Sequence, residues 1–224
     1  MNNKLLAIEQ WLGRQTEDYL STEKAIQIET LDNPGWGVRV DLKGTSALSG
    51  DIDTAEFEEN ADYWFHCSIA QKKFIGYGGV HNLSSILTCF TSWAGLPRET
   101  PLINPANSLS LIMANVGTQR KLWPTIDTDE PLERLEEWFY EKCDGDWEHE
   151  SGVKIWSTTG GCWEFRISLG DADLCKKIPI QSHSVTDKVW YKTKIQDLDY
   201  CAICGPLGLG VAISDFLKWS YTEK

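Results

Sequence analysis

A chain that matches itself over most of its length must fold each part on one plan, and this self-match is the strongest constraint the sequence carries. At an offset of 127, Leu5, Ile8, Trp11 and Leu12 fall on Leu132, Leu135, Trp138 and Phe139. Without a gap, Ile26, Ile28, Trp36, Val38, Arg39, Val40 and Leu42 then fall on Val153, Ile155, Trp163, Phe165, Arg166, Ile167 and Leu169. After a slip of one residue, Trp64, Ile69, Gly79, Leu83, Phe90 and Trp93 fall on Trp190, Ile195, Gly205, Leu209, Phe216 and Trp219. Four tryptophan pairs in register establish a tandem duplication. The copies span residues 1–95 and 131–224, with a connector over 96–130.

The shared pattern predicts the fold of each copy. Apolar residues at 5, 8 and 12, and at 132, 135 and 139, have helical spacing. Asp129 and Pro131 are start signals for the second of these helices. Alternation through Ile26, Ile28 and then Trp36, Val38, Val40, Leu42 predicts a half-buried hairpin. A further strand pair is expected near Tyr63–Ile69 and Phe74–Tyr77, matched by Val189–Ile195 and Tyr200–Ile203. Leu83, Ile86, Leu87, Phe90 and Trp93 return to helical spacing, as do Leu209, Ile213, Phe216 and Trp219. Each copy is therefore helix, antiparallel sheet, helix, and the class is α+β. The connector holds Pro97, Pro101, Pro105 and Pro124, which stiffen it. Its apolar middle, Leu109–Ala114, is expected to pack on the domains and to hold them in a fixed relation, a pseudo-dimer within one chain.

Charge narrows the partners. The formal net charge is -12, and residues 1–100 hold 8 Lys/Arg against 14 Asp/Glu, so the excess is shared by both parts. Such a surface repels nucleic acid and anionic membranes and attracts a basic protein. No apolar run is long enough to span a bilayer, and the residues after Met1 do not form a signal peptide, so a cytoplasmic protein is expected. The 7 cysteines are odd in number and unevenly spaced, which argues against a disulfide framework.

Two segments stand out as candidate contacts. Thr30-Leu31-Asp32-Asn33-Pro34-Gly35-Trp36 places proline and glycine as in a type II turn, and would present Asp32, Asn33 and Trp36 to a partner. Copy two reads Thr159-Gly160-Gly161-Cys162-Trp163 here, so the tryptophan also has a structural reading. Copy two carries Cys143-Asp144-Gly145-Asp146-Trp147-Glu148-His149-Glu150 between its first helix and first strand. That run offers Asp144, Asp146, Trp147, Glu148 and His149 to a partner, but its spacing fits neither a zinc motif nor an EF-hand loop. Cys201-Ala202-Ile203-Cys204 is a CxxC without a second pair, on a predicted strand. Nothing in either copy reads as a complete catalytic site, and no cofactor or metal is expected. Cys143 precedes carboxylates that raise a thiol pKa, which argues against a sulfur-transfer or metal-dependent enzyme.

The run Ile26–Trp36 with Asp41-Leu42, and Trp64-Phe65-His66-Cys67 followed by Gly78-Gly79 and the helix ending Trp93-Ala94, resembles the immunity protein 53 family. Copy two supplies the rest of the pattern: Trp138-Phe139-Tyr140, Cys143–His149 and Gly152-Val153-Lys154-Ile155. Copy one has lost the Cys-Asp-Gly-x-Trp-Glu-His segment and copy two the Leu-Asp-Asn-Pro-Gly segment, so the two are complementary. The resemblance implies a cytoplasmic, non-catalytic protein that binds and silences a cognate bacterial toxin. A basic nuclease toxin would suit the acidic surface. An interaction or scaffold module with another partner is the alternative.

Overall fold

The computed structural model describes residues 4–45, 52–94, 130–170, 175 and 180–222. The expected packing of Leu109–Ala114 lies outside these residues. Copy one contains α1 (Lys4–Leu12), the short α2 (Glu17–Leu20), β1 (Ile26–Leu31), β2 (Gly35–Asp41), β3 (Ile52–Glu58), β4 (Trp64–Ala70), β5 (Lys73–Gly79) and α3 (Leu83–Trp93). Copy two contains α4 (Pro131–Lys142), the short α5 (Trp147–Glu150), β6 (Val153–Thr158), β7 (Cys162–Ser168), β8 (Ser182–Ser184), β9 (Trp190–Gln196), β10 (Asp199–Cys204) and α6 (Leu209–Thr222). The repeated helix–sheet–helix plan and the α+β class hold. The outer strands β3 and β8 and the short helices α2 and α5 are additions to the pattern legible in the periodicity.

The ten strands among the described residues form one antiparallel sheet, in the order β3-β4-β5-β2-β1-β6-β7-β10-β9-β8. The copies join through β1 and β6, where Ile28 pairs with Ile155, Gln27 with Trp156 and Glu29 with Lys154. The 127-residue offset carries Ile28 onto Ile155, Gln27 onto Lys154 and Glu29 onto Trp156, so each cross-copy pair maps onto another. A pseudo-twofold axis therefore passes between Ile28 and Ile155. This is the isologous geometry of a homodimer, built into one chain.

Side-chain hydrogen bonds repeat the symmetry. The Ile26 amide donates to Ser157 Oγ at 3.0 Å, and the Val153 amide donates to Thr30 Oγ1 at 3.0 Å. Thr30 and Ser157 are equivalent residues, so one hydroxyl from each copy closes the ladder of the other. Thr30→Val and Ser157→Ala each leave an amide with no acceptor. Each is expected to cost about 1–3 kcal/mol in chemical denaturation, and two neutral variants would refute the clamp.

One face of the sheet carries the core. Alternate residues Trp36, Val38 and Val40 on β2, and Trp163, Phe165 and Ile167 on β7, are at most 1% exposed. They lie beneath α1, α3, α4 and α6, which pack on one another across the axis as well as within each copy. Trp11 rests edge-on against Phe90 at 4.9 Å, and its counterpart Trp138 against Phe216 at 5.2 Å. Trp36 of copy one packs on Phe139 of copy two at 5.1 Å. The other face of the sheet has no helix over it among the described residues.

The helix layer is locked by two buried carboxylates. Glu9 Oε1 accepts from the Leu209 amide at 2.9 Å, and Glu136 Oε1 accepts from the Ser84 amide at 2.5 Å. Glu9 and Glu136 are equivalent residues, 3% and 4% exposed, and each satisfies the free amides that open a helix of the other copy. Burial outweighs those amides and pushes the Glu9 carboxyl up to about 7 and that of Glu136 up to about 8.

Candidate functional site

The β1–β2 connection is a loop of Asp32, Asn33 and Pro34, closed by the pairing of Leu31 with Gly35. Gly35 does not adopt the left-handed conformation that a type II turn requires at that position. Glycine is needed there for proximity instead: a Cβ would lie 2.4 Å from the Gly78 carbonyl oxygen of β5. Asp32 and Asn33 are exposed. Trp36 is not, and its role as a contact is corrected. Its side chain is 0% exposed and its indole donates to the Val80 carbonyl at 2.9 Å. The alternation of β2 turns it toward the helices, so it supports the loop from beneath.

The acidic run in copy two is a folded loop rather than a loose tail. Asp144 Oδ1 accepts from the Trp147 amide at 2.9 Å and from the Asp146 amide at 3.0 Å. Those amides hold its carboxyl below the ordinary range. Gly145 sits at φ +97°, a conformation few other residues tolerate. Glu148 reaches back to the amides of Gly145, at 3.0 Å, and Asp144, at 3.1 Å. At 6% exposure Glu148 is inside, a second correction to the contact residues expected from sequence. Trp147 is half-buried, with its ring 5.9 Å from Trp138 and 6.3 Å from Phe139. Asp144, Asp146, His149 and Glu150 face outward.

The register brings the two segments to the same end of the central strand pair. Glu29 faces Lys154, so the end of β1 that leads into Asp32 lies beside the start of β6, just after α5. The short helix α5 packs on β1. Contact here is close: a Cβ on Gly152 would lie 2.1 Å from Thr30 Oγ1. One end of the central strand pair therefore carries the Asp32–Pro34 loop from copy one and the Asp144–Glu150 loop from copy two. The opposite end carries the counterparts, α2 against the turn Thr159–Gly161. There Leu20 approaches Gly161 within 3.2 Å of a Cβ, and Gly160 and Gly161 adopt φ +75° and +70°. The two ends have the same architecture and different chemistry.

Other reactive groups do not converge on this end. Cys143 Sγ donates to the Phe139 carbonyl at 3.2 Å, and burial, then Glu148 and Asp144, push its thiol up to about 12. Cys201 and Cys204 stand three residues apart on β10 and so point to opposite faces of the sheet. Burial raises both thiols. Among the described residues no group of three or more His, Cys, Asp and Glu is placed to hold a metal ion. His81 lies between the rings of Tyr63, at 5.0 Å, and Tyr140 of copy two, at 4.7 Å. A hollow lined by Glu56, Glu58, Trp64 and His66 belongs to the outer β3–β4 hairpin, away from the axis.

Sequence reasoning missed Glu9 and Glu136. The signal was present, because an acidic residue interrupts the same apolar helical face in both copies. Its partner was hidden, since it is a backbone amide roughly fifty or two hundred residues away.

The fold is that of a pseudo-symmetric α+β sheet protein in which a loop from each copy stands at the same end of the central strand pair. The family model for immunity protein 53 matches residues 5–95 and again residues 132–221. The chain belongs to the immunity protein 53 family, in two tandem copies. Comparison with curated proteins and with solved structures gives no match. No helix among the described residues is long and apolar enough to cross a membrane.

Proposed function

We propose that this protein neutralises a cognate bacterial toxin in the cytoplasm by stoichiometric binding, without catalysis. The contact surface is the end of the central β1–β6 strand pair where the Asp32–Pro34 and Asp144–Glu150 loops stand. One observation carries the reading: the family segments that each copy keeps lie at one end, and the segments that each has lost lie at the other. Duplication allows this outcome. A symmetric dimer presents two identical ends and must keep both segments in each subunit, whereas a fused pair can keep one end and let the other drift.

A basic toxin domain, of which a nuclease is an example, fits the exposed Asp32, Asp146 and Glu150 and the net charge of -12. Charge of this kind speeds encounter more than it tightens the final complex. Trp36, Glu148 and Trp147 hold the two loops in shape. His149 and Asn33 offer hydrogen bonds at the rim.

The test is co-purification from the native strain, with the neighbouring genes present, followed by calorimetric titration of the captured protein. One basic toxin domain bound near one to one is expected. The triple variant Asp32→Lys, Asp146→Lys, Glu150→Lys is expected to slow association roughly ten-fold at low salt and to flatten its salt dependence. Unchanged kinetics would remove the role assigned to this end. Equal effects from charge reversals at the opposite end, at Glu17 and Glu23, would show that general charge rather than this surface governs encounter.

A further inference from the structure

The face of the sheet that carries no helix among the described residues is not electrically uniform. Residues paired across β6, β7, β10 and β9 form the row Lys154, Arg166, Cys201, Lys194, and the next row holds Trp156, Glu164, Ile203 and Lys192. Lys154, Lys192 and Lys194 are exposed, and Ile203 is 41% exposed. Arg166 is held by Glu164 at 2.6 Å and lies over the Trp156 ring at 5.2 Å. Lys24 approaches the same ring at 5.4 Å. Lys154 and Arg166 sit directly opposite one another, a pairing that costs stability in a sheet. Their counterparts in copy one, at the repeat offsets, are Gln27 for Lys154, Arg39 for Arg166, His66 for Lys192 and Ser68 for Lys194. Four cations therefore stand in copy two where copy one has one, in a chain of net charge -12.

We propose that this face of copy two is a second docking surface, which takes a short acidic segment of a partner protein in extended form. Charge complementarity defines the occupant. From Lys154 to Lys194 the row crosses three strand spacings, about 14 Å. An extended peptide covers that distance in about five residues and turns alternate carboxylates to one side. Ile203, 41% exposed, supplies apolar surface beside the row, while Lys24 and Arg166 lie over the Trp156 ring. Nucleic acid is a poorer occupant. The whole-chain charge repels a long polyanion, Glu29, Glu164 and Asp199 interrupt the patch, and the Trp156 ring is already taken by cations rather than free for a base. The surface is distinct from the acidic end of the central strand pair, and it does not depend on the partner there being a toxin.

The test uses the full chain and a fluorescent hexaglutamate peptide, followed by anisotropy at low salt. Binding is expected, and the triple variant Lys154→Glu, Lys192→Glu, Lys194→Glu should weaken it at least about ten-fold. The triple glutamine variant at the same positions should give a smaller loss with an unchanged melting curve, which separates charge from folding. Reversals at Lys43 and Lys72, outside the row, should change affinity less than two-fold or so. The proposal is overturned if the peptide does not bind, if the outside reversals weaken it as much as the triple variant, or if a single-stranded oligonucleotide binds more tightly than the peptide.

Discussion

Replacing Glu9 and Glu136 together by glutamine is expected to raise stability at alkaline pH and to flatten its pH dependence. Each carboxyl is pushed above the ordinary 4.5 chiefly by burial, Glu9 to about 7 and Glu136 to about 8. The folded chain therefore keeps protons that the unfolded chain has released. The contribution of these two carboxyls to stability is full below 4.5 and is lost as pH rises through 7 and 8. His81 acts in the opposite sense, because burial lowers its pKa from 6.5, but its contribution is complete once pH reaches that value. Above 6.5 and below the ordinary 9.0 of the thiols, the two glutamates dominate the dependence, and the variant shares the thiols with the parent. Ionising both should cost on the order of 3 kcal/mol or more each. Glutamine retains the oxygen that accepts from Leu209 or Ser84 and carries no charge. Urea midpoints measured near pH 6.5 and near pH 8.5 decide the matter. A double variant whose midpoint falls as steeply as that of the parent would show that these carboxyls do not set the alkaline limit.

Cutting the connector is expected to leave the protein whole. A specific protease sequence placed between residues 96 and 130, once cleaved, should give two fragments that co-elute at the size of the full chain and unfold in one transition. Ordinary linked domains would separate on cleavage, because interfaces between them are small and polar. Here the junction is the middle of a sheet, reinforced by Thr30 and Ser157, with Glu9 and Glu136 above it. Ile28→Asp should then separate the cleaved fragments, since Ile28 is 1% exposed and lies on the pseudo-axis facing Ile155. A buried, unpaired charge costs several kcal/mol, about as much as a domain of this size can spare. Fragments that part without the substitution would mean that the covalent link, and not the shared sheet, holds the copies together.

Much of each copy was legible before any coordinate. The four paired tryptophans, the two helical stretches and the alternating strands follow from periodicity, because burial on one face imposes 3.6 on a helix and 2 on a strand. The hairpin pairs β4–β5 and β9–β10 fall where alternation placed them. Their two-residue turns, Gln71-Lys72 and Asp197-Leu198, carry positive φ, and of the four residues Gln71, Lys72 and Leu198 give no turn signal. Edge strands β3 and β8 pair on one side and bury little, so their sequences show weak alternation.

For the candidate site the division is sharper. The two segments were visible as local compositions, Asp32–Trp36 and Cys143–Glu150, but their relation was not. Trp36 and Glu148 looked like contacts and are supports, because the sequence records residue type without recording which side of a strand or loop faces inward. The cations of copy two escaped notice for a related reason, since outward positions on four different strands share no sequence spacing.

The sequence by itself determined that the chain folds twice on one helix–sheet–helix plan, because core periodicity is a local property repeated at a fixed offset. Tertiary structure alone decided that the two copies share one sheet, that Glu9 and Glu136 exchange helix ends, and that a loop from each copy stands at one end of the central strand pair. Those outcomes rest on the register of β1 against β6. That register is set by hydrogen bonds and packing between residues about 127 positions apart, which leave no local mark in the chain.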